Sequence, residues 1–242
     1  MLSVKHLSAK IEDKQIIRDF SFDFIQDSVY VVMGPNGSGK STLAYALMNH
    51  PSYEYGSKTH IELDGKDISD MEVEDRAREG MFLSFQSPLA LSGVTVFQLM
   101  QMAAAGQSDP LTIRRSITTN AKTLRIPDEL LSRSLNDGAS GGEKKKLEVL
   151  QAAVLNRPVQ IYDEIDTGVD VDALRAIGTF MHENKKGKIY IIITHYNRIL
   201  EYIKPDKVLV LVDGSLVAQG GHELVHRIEK EGYDSFKNTK SK

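Results

Sequence analysis

Residues 34–42 read Gly-Pro-Asn-Gly-Ser-Gly-Lys-Ser-Thr and follow the unbroken apolar run Val29-Tyr30-Val31-Val32-Met33. A strand with one wet face alternates, so a run that is apolar at every position predicts a strand covered on both faces. The glycines beyond it let successive backbone N–H groups curl around an anion at the start of a helix, placed here from Ser41 to about Asn49. G-x-x-x-x-G-K-[ST] between a buried strand and a helix is the P-loop motif in the context it requires. The other reading is a strand-turn-helix glycine loop without a nucleotide.

The rest of the chain fits that unit. Further buried strands are expected at 81–85, 159–162, 189–193 and 208–212, with helical patterns between most of them, so the fold class is α/β around a parallel sheet. Phe20-Ser-Phe-Asp-Phe alternates with period two, predicting an antiparallel strand and a small β layer at the opening. Residues 94–135 show no strand pattern and are expected to be a helical insertion. No repeat or linker divides the chain, so residues 1–242 are read as one domain, with a helical subdomain at 87–139 and a frayed end at 237–242.

Composition narrows the function classes. With 41% hydrophobic and 26% charged residues the chain is expected to fold, and 242 residues suffice for a sizeable core. Lys+Arg total 30 against 33 Asp+Glu, so no global basic field attracts nucleic acid. Cysteine is absent, which excludes disulfides, thiolate zinc sites and a Cys-ligated cluster carried by this chain alone. The longest apolar runs fall far short of the ~20 residues of a membrane span, so no membrane insertion is expected. Lys5, His6, Lys10 and Glu12 interrupt the opening where a signal peptide is apolar, and a cytoplasmic location is expected.

Several polar residues fall where strands end, which is where an open α/β sheet binds ligands. In the P-loop, Gly34, Pro35, Asn36, Gly37, Ser38, Gly39, Lys40, Ser41 and Thr42 are the candidate nucleotide ligands. Lys40 places a point charge on the β/γ oxygens, and Ser41 offers its hydroxyl to Mg²⁺. Asp163 and Glu164 end the strand at 159–162; Asp163 fits a Mg²⁺ ligand and Glu164 a group that polarises the attacking water, although two acids after a strand are commonly a solvated turn. Gln86 ends the strand at 81–85, within reach of both metal and water. His195 ends the strand at 189–193, where an imidazole can sense the γ-phosphate. Ser140, Gly141, Gly142 and Glu143 open a second helix, either as a second anion site or as a plain capping box. Lys144-Lys145-Lys146 is read as a solvated face of that helix.

In this order and at these spacings the residues resemble the ATP-binding cassette (ABC) ATPases, with Gln86 as the Q-loop, 140–143 as the signature, a D-loop ending at Asp170 and His195 as the switch. The resemblance covers nearly the whole chain and narrows to the SufC branch, the ATPases of Suf iron-sulfur cluster assembly. HPSYEY at 50–55, RAREGMFLSFQSP at 76–88, SGGEKKK at 140–146, DEIDTGVDVDAL at 163–174 and THYNRILEYIKPD at 194–206 carry it. Ile165-Asp166 stands where transporter cassettes usually have Pro-Thr. The chain departs from the pattern at Ala139, Gln160 and Val169, at Asp27-Ser28, and at Ile11, where many cassettes stack an aromatic on adenine.

The resemblance implies a RecA-like P-loop core with an antiparallel β layer and an α-helical subdomain. It implies ATP hydrolysis with Glu164, His195, Lys40 and Gln86 as catalytic residues, and Mg²⁺ on Ser41, Gln86 and Asp163. It also implies an ATP-dependent homodimer in which Ser140–Glu143 and Asp170 reach the partner's nucleotide. The macromolecular partner it implies is a SufB/SufD-type scaffold that supplies the cluster ligands. Alternative readings are a transporter's nucleotide-binding subunit and a nucleotide-gated adaptor with little hydrolysis. Leu89 and Leu91, in the turn-rich loop after Gln86, are expected either to dock the scaffold or to pack on Val94 and Leu99.

Overall fold

The computed structural model describes residues 1–194 and 198–237, so His195 and the end from 238 lie outside the described residues. The chain opens on a hairpin, β1 (Leu2–Ile11) and β2 (Lys14–Phe24). In β2, Ile17, Phe20, Phe22 and Phe24 are buried while Arg18, Asp19, Ser21 and Asp23 face solvent, the pattern of a strand with one wet face. The strand begins six residues before the alternation read at residue 20. Bulged pairing with β1 and left-handed residues at His6 (φ 51) and Asp19 (φ 51) interrupt the period there.

The P-loop unit follows as β3 (Ser28–Met33) and α1 (Lys40–Leu47). All six β3 residues are buried, and their neighbours alternate. Val29, Val31 and Met33 join the helix-side core, while Tyr30 and Val32 join the core beneath the hairpin and α1. The short strands β4 (Glu54–Tyr55), β5 (His60–Leu63) and β6 (Lys66–Asp67) complete an antiparallel layer ordered β2-β1-β5-β6, with β4 also on β1.

Helix α2 (Val73–Glu79) carries Arg76, only 1% exposed, which donates to the Leu47 carbonyl at 2.7 Å, the Ala46 carbonyl at 3.4 Å and the Ser69 carbonyl at 2.7 Å. Burial lowers its pKa to about 10, and the carbonyls ending α1 stabilise the charge.

After β7 (Met81–Ser84) the chain makes a lobe: β8 (Leu91–Thr95), α3 (Val96–Ala103), α4 (Pro110–Thr123), α5 (Asp128–Ser132) and β9 (Ser134–Leu135). Thr95 and Gln98 form a capping box on α3, and Asp109 caps α4 ahead of Pro110. The expectation of no strand in this segment is corrected by the β8–β9 ribbon. Its two non-local pairings, Leu91 with Leu135 and Thr95 with Ser134, are offset by a register shift, and with Gly93 at φ 77 they leave no period to read.

The remaining elements are α6 (Gly141–Leu155), β10 (Val159–Asp163), α7 (Val171–Glu183), β11 (Ile189–Ile193), a 3-10 turn at Arg198–Glu201, β12 (Lys207–Val212), β13 (Ser215–Gly220), α8 (Glu223–Glu231) and α9 (Asp234–Lys237). The main sheet runs β13-β12-β3-β11-β10-β7, parallel apart from β13. Parallel order puts the ends of β3, β7, β10 and β11 on one edge, so residues distant in sequence meet around the P-loop. The Asp213-Gly214 turn between β12 and β13 braces that loop: Gly214 N–H donates to the Ser38 carbonyl at 2.9 Å, and Arg18 N–H to the Gly214 carbonyl at 2.7 Å. A Cβ on Gly214 would lie 1.9 Å from the Ile16 carbonyl oxygen, and the residue sits at φ 76, so only glycine fits. Among the described residues no helix is long and apolar enough to cross a membrane.

Candidate functional site

Helix α1 begins at Lys40 behind Gly39 (φ 99) and has no side-chain cap. Its first amides therefore point into a cavity of about 460 Å³ lined by Lys14, Ile16 and residues of the P-loop, with Gln86 and Glu164 at its side. Uncapped helix amides beside a glycine loop form a receptor for phosphate oxygens. Lys40 Nζ donates to the carbonyls of Gly34 and Pro35, each at 2.9 Å. Burial lowers the Lys40 pKa to about 8, against the opposing pull of Glu164 and Asp163.

Asp163 ends β10, and its two carboxylate oxygens are buried without a hydrogen-bond partner of standard geometry. Burial raises its pKa, Glu164 adds to the rise, and the nearby Ser41 hydroxyl pulls it back. A buried, unsatisfied carboxylate beside a hydroxyl is a donor set for a hard divalent cation, so the residues present fit Mg²⁺. Glu164 sits at φ 51, with its N–H bonded to the Ile193 carbonyl at 2.9 Å. Its Oε2 accepts from Gln86 Nε2 at 2.7 Å and from Thr167 Oγ1 at 3.2 Å. The sheet edge thus brings Lys40, Ser41, Asp163, Glu164 and Gln86 together.

Ser140, Gly141, Gly142, Glu143 and Asp170 are not among the residues lining this cavity. Ser140 and Glu143 form the capping box of α6: Ser140 N–H donates to Glu143 Oε2 at 2.8 Å, and Glu143 N–H to Ser140 Oγ at 3.3 Å. Asp170 caps α7, accepting from Ala173 N–H at 2.8 Å. A Cβ on Gly141 would lie 2.6 Å from the Gly168 carbonyl, so the signature glycine packs directly on the D-loop. His195 is outside the described residues. Its neighbour Thr194 is buried and donates to Asp166 Oδ2 at 2.7 Å.

Several residues depart from their expected surroundings. Lys145, read as solvated, is only 3% exposed and pairs with Glu148 at 3.2 Å, because α6 is packed against the end of β7. Gln160 is satisfied inside β10, donating to the Arg157 carbonyl at 2.8 Å and accepting from the Tyr162 hydroxyl at 2.6 Å. Asp27 takes φ 60, a left-handed position that Asp tolerates where glycine is usual. Ile16 and Lys14 line the cavity while Ile11 does not. Sequence reasoning missed both, though each sits in the hairpin whose alternation was the available signal. Leu89 is 75% exposed, and Leu91 is paired in β8. Neither lines the apolar groove of about 580 Å³ formed by Met48, Val73, Ala77, Phe82, Phe85 and Met102, among others.

Residues 17–167 match the family model described as ABC transporter. The chain is 41% identical over 243 residues to Vegetative protein 296 of Bacillus subtilis (strain 168), covering 98% of this chain and 93% of that protein. It is 43% identical over 242 residues to the Probable ATP-dependent transporter SufC of Escherichia coli (strain K12), covering 96% and 97%. The fold is similar, at TM-score 0.74 and 15% identity over 91% of this chain and 98% of the other, to a dimeric ATP-binding cassette in a post-hydrolysis state bound to ADP and Pi. ABC cassettes bind ATP and ADP and dimerise. With its P-loop, sheet edge and full-length relatives in agreement, this chain belongs to the ABC family of ATPases, which hydrolyse ATP.

Proposed function

We propose that this ABC ATPase is a motor of the SufC type, cleaving ATP between two copies of itself to drive a SufB/SufD-type scaffold in iron-sulfur cluster assembly. The observation that carries the hydrolytic part is the Gln86–Glu164 hydrogen bond of 2.7 Å at the side of the P-loop cavity. The two side chains converge where a water in line with a γ-phosphate would stand. Glu164 orients that water and accepts its proton as oxygen attacks phosphorus, and ADP leaves with its bond electrons. Lys40 neutralises the β/γ oxygens, and the α1 amides hold them. Ser41, Asp163 and Gln86 would hold Mg²⁺, which supplies further charge neutralisation on the phosphates.

The pairing of copies follows from what one copy leaves unused. Ser140–Glu143 and Asp170 sit at two capped helix starts away from the copy's own cavity, and their match to the cassette pattern, in a family whose members dimerise, is what assigns them to a second chain's nucleotide. The partner assignment rests on the 43% identity to the protein named SufC and on the absence of cysteine, which leaves cluster ligation to another chain.

Glu164→Gln is expected to bind ATP within about threefold of wild type and to hydrolyse it roughly 100-fold more slowly, since an amide cannot take the water's proton. Size-exclusion chromatography with ATP should then show more dimer than wild type. Wild-type turnover in the variant would sink the hydrolytic assignment.

The apolar groove carrying Phe85 and Met102 is the proposed scaffold seat. Met102→Glu, at an exposed edge of that groove, is expected to weaken scaffold co-purification about tenfold with ATPase activity within twofold. Undiminished co-purification would place the seat elsewhere.

A further inference from the structure

Helix α6 carries a buried ion pair that the hydrolytic reading leaves unused. The side chains of Lys145 and Glu148 are 3% and 7% exposed, with Nζ and Oε2 at 3.2 Å. Each isolated charge loses several kcal/mol of hydration on burial, and apolar residues of like volume commonly stabilise a fold as well or better. What the pair does here is reach sideways. Glu148 Oε1 accepts from Phe85 N–H at 2.9 Å, and Oε2 accepts from the Ser84 hydroxyl at 2.8 Å. Lys145 Nζ donates to the Phe85 carbonyl at 2.6 Å. Both polar groups of the Phe85 backbone are therefore held by one turn of α6, and the next residue is Gln86.

The other side of the same loop is tied to the same segment. Asn136 Nδ2 donates to the Leu89 carbonyl at 2.8 Å, and Gly93 N–H donates to Ser134 Oγ at 3.0 Å. The chain from 134 to 148, which contains the Ser140 helix start, thus anchors the Gln86 loop before and after the glutamine.

We propose that Glu148 is a positioning residue for hydrolysis: by fixing the Phe85 peptide it sets the reach of the Gln86 amide to Glu164. The inference rests on the roles given above to Gln86 and Glu164. It makes the helix that begins at Ser140 the frame from which Gln86 is aimed, so nucleotide held in one copy and the signature element offered to the other share one support.

The test compares ATP turnover with equilibrium binding of a non-hydrolysable ATP analogue. In the double variant Lys145→Met with Glu148→Leu the charges leave together, so no unpaired buried charge remains to unfold the chain. Expected are a kcat at least tenfold lower, analogue affinity within threefold and a melting temperature near wild type. Glu148→Gln combined with Lys145→Met keeps the shape and an oxygen for Phe85 N–H and leaves no unpaired buried charge, and it is expected to retain kcat within threefold. Wild-type kcat in the first double variant overturns the proposal, as does analogue binding that falls in step with kcat, which marks a collapsed site. A tenfold loss in Lys145→Met with Glu148→Gln, the Phe85 amide still protected from hydrogen exchange, also overturns it. Normal turnover in Glu164→Gln would instead strike the hydrolytic reading itself, separately from these outcomes.

Discussion

Lys40→Ala is expected to lower ATP turnover by at least about 100-fold, the scale seen when one preorganised charge-stabilising donor is removed. The side chain is the cation that the P-loop itself contributes, held at 2.9 Å from the Gly34 and Pro35 carbonyls, so the cradle of amides survives while the charge is lost. A pH signature accompanies it. Burial brings Lys40 down to about 8 in the free protein, and phosphate oxygens favour its charged form. Below that pH the ammonium is already present and binding takes up no proton at Lys40. Above it the amine is neutral, so binding must recruit a proton and affinity falls as pH rises. Stability runs the opposite way and rises with pH across the same window. The folded chain holds fewer protons at Lys40 than the unfolded chain between about 8 and 10.5, so the penalty for the buried charge is present in full below that window and relieved across it. Calorimetry in buffers of different ionisation enthalpy should show nucleotide-linked proton uptake at pH 8.5 to 9, lost in Lys40→Met. Uptake unchanged in that variant would assign the proton to another group.

Arg76→Ala is expected to destabilise the fold by about 3–5 kcal/mol, the range of large changes that combine a cavity with unsatisfied buried polar groups. The guanidinium reaches the carbonyls of Ala46, Leu47 and Ser69, two of them at the end of the helix whose start lines the P-loop cavity. For a chain of this size that loss corresponds to roughly 10 °C in melting temperature. Arg76→Met restores much of the volume but no donor, and should recover less than half of it. A melting temperature within 2 °C of wild type for Arg76→Ala would show that water takes over those carbonyls.

The parts of the molecule that were legible in the sequence are those where a local pattern and a tertiary role coincide. Val29–Met33 is apolar throughout because both faces are covered, and Gly34–Thr42 is glycine-rich because its amides must turn inward; neither needs a distant residue to be read. Asp163, Glu164 and Gln86 were legible because a parallel sheet collects strand ends on one edge. Lys145 was misread because its neighbours Lys144 and Lys146 are half-buried on the more open side of α6, and only the packing of that helix against Ser84 and Phe85 decides which lysine turns inward. Arg76 looks like a surface residue of a short charged helix until Leu47, nearly thirty positions earlier, is seen beneath it. The β8–β9 ribbon depends on pairing between distant residues, Leu91 with Leu135 and Thr95 with Ser134, which no short window of sequence contains.

The contact between Gly141 and Gly168 has a mechanical consequence. With room for no more than a hydrogen between that α-carbon and the carbonyl, the start of α6 and the loop before α7 have no slack to slide against each other. They therefore behave as a single die. In the proposed pairing, a nucleotide carried by another copy would meet both faces at a fixed spacing, and an added methyl at Gly141 would shift the stamp as a whole while leaving the copy's own cavity cut to the same shape.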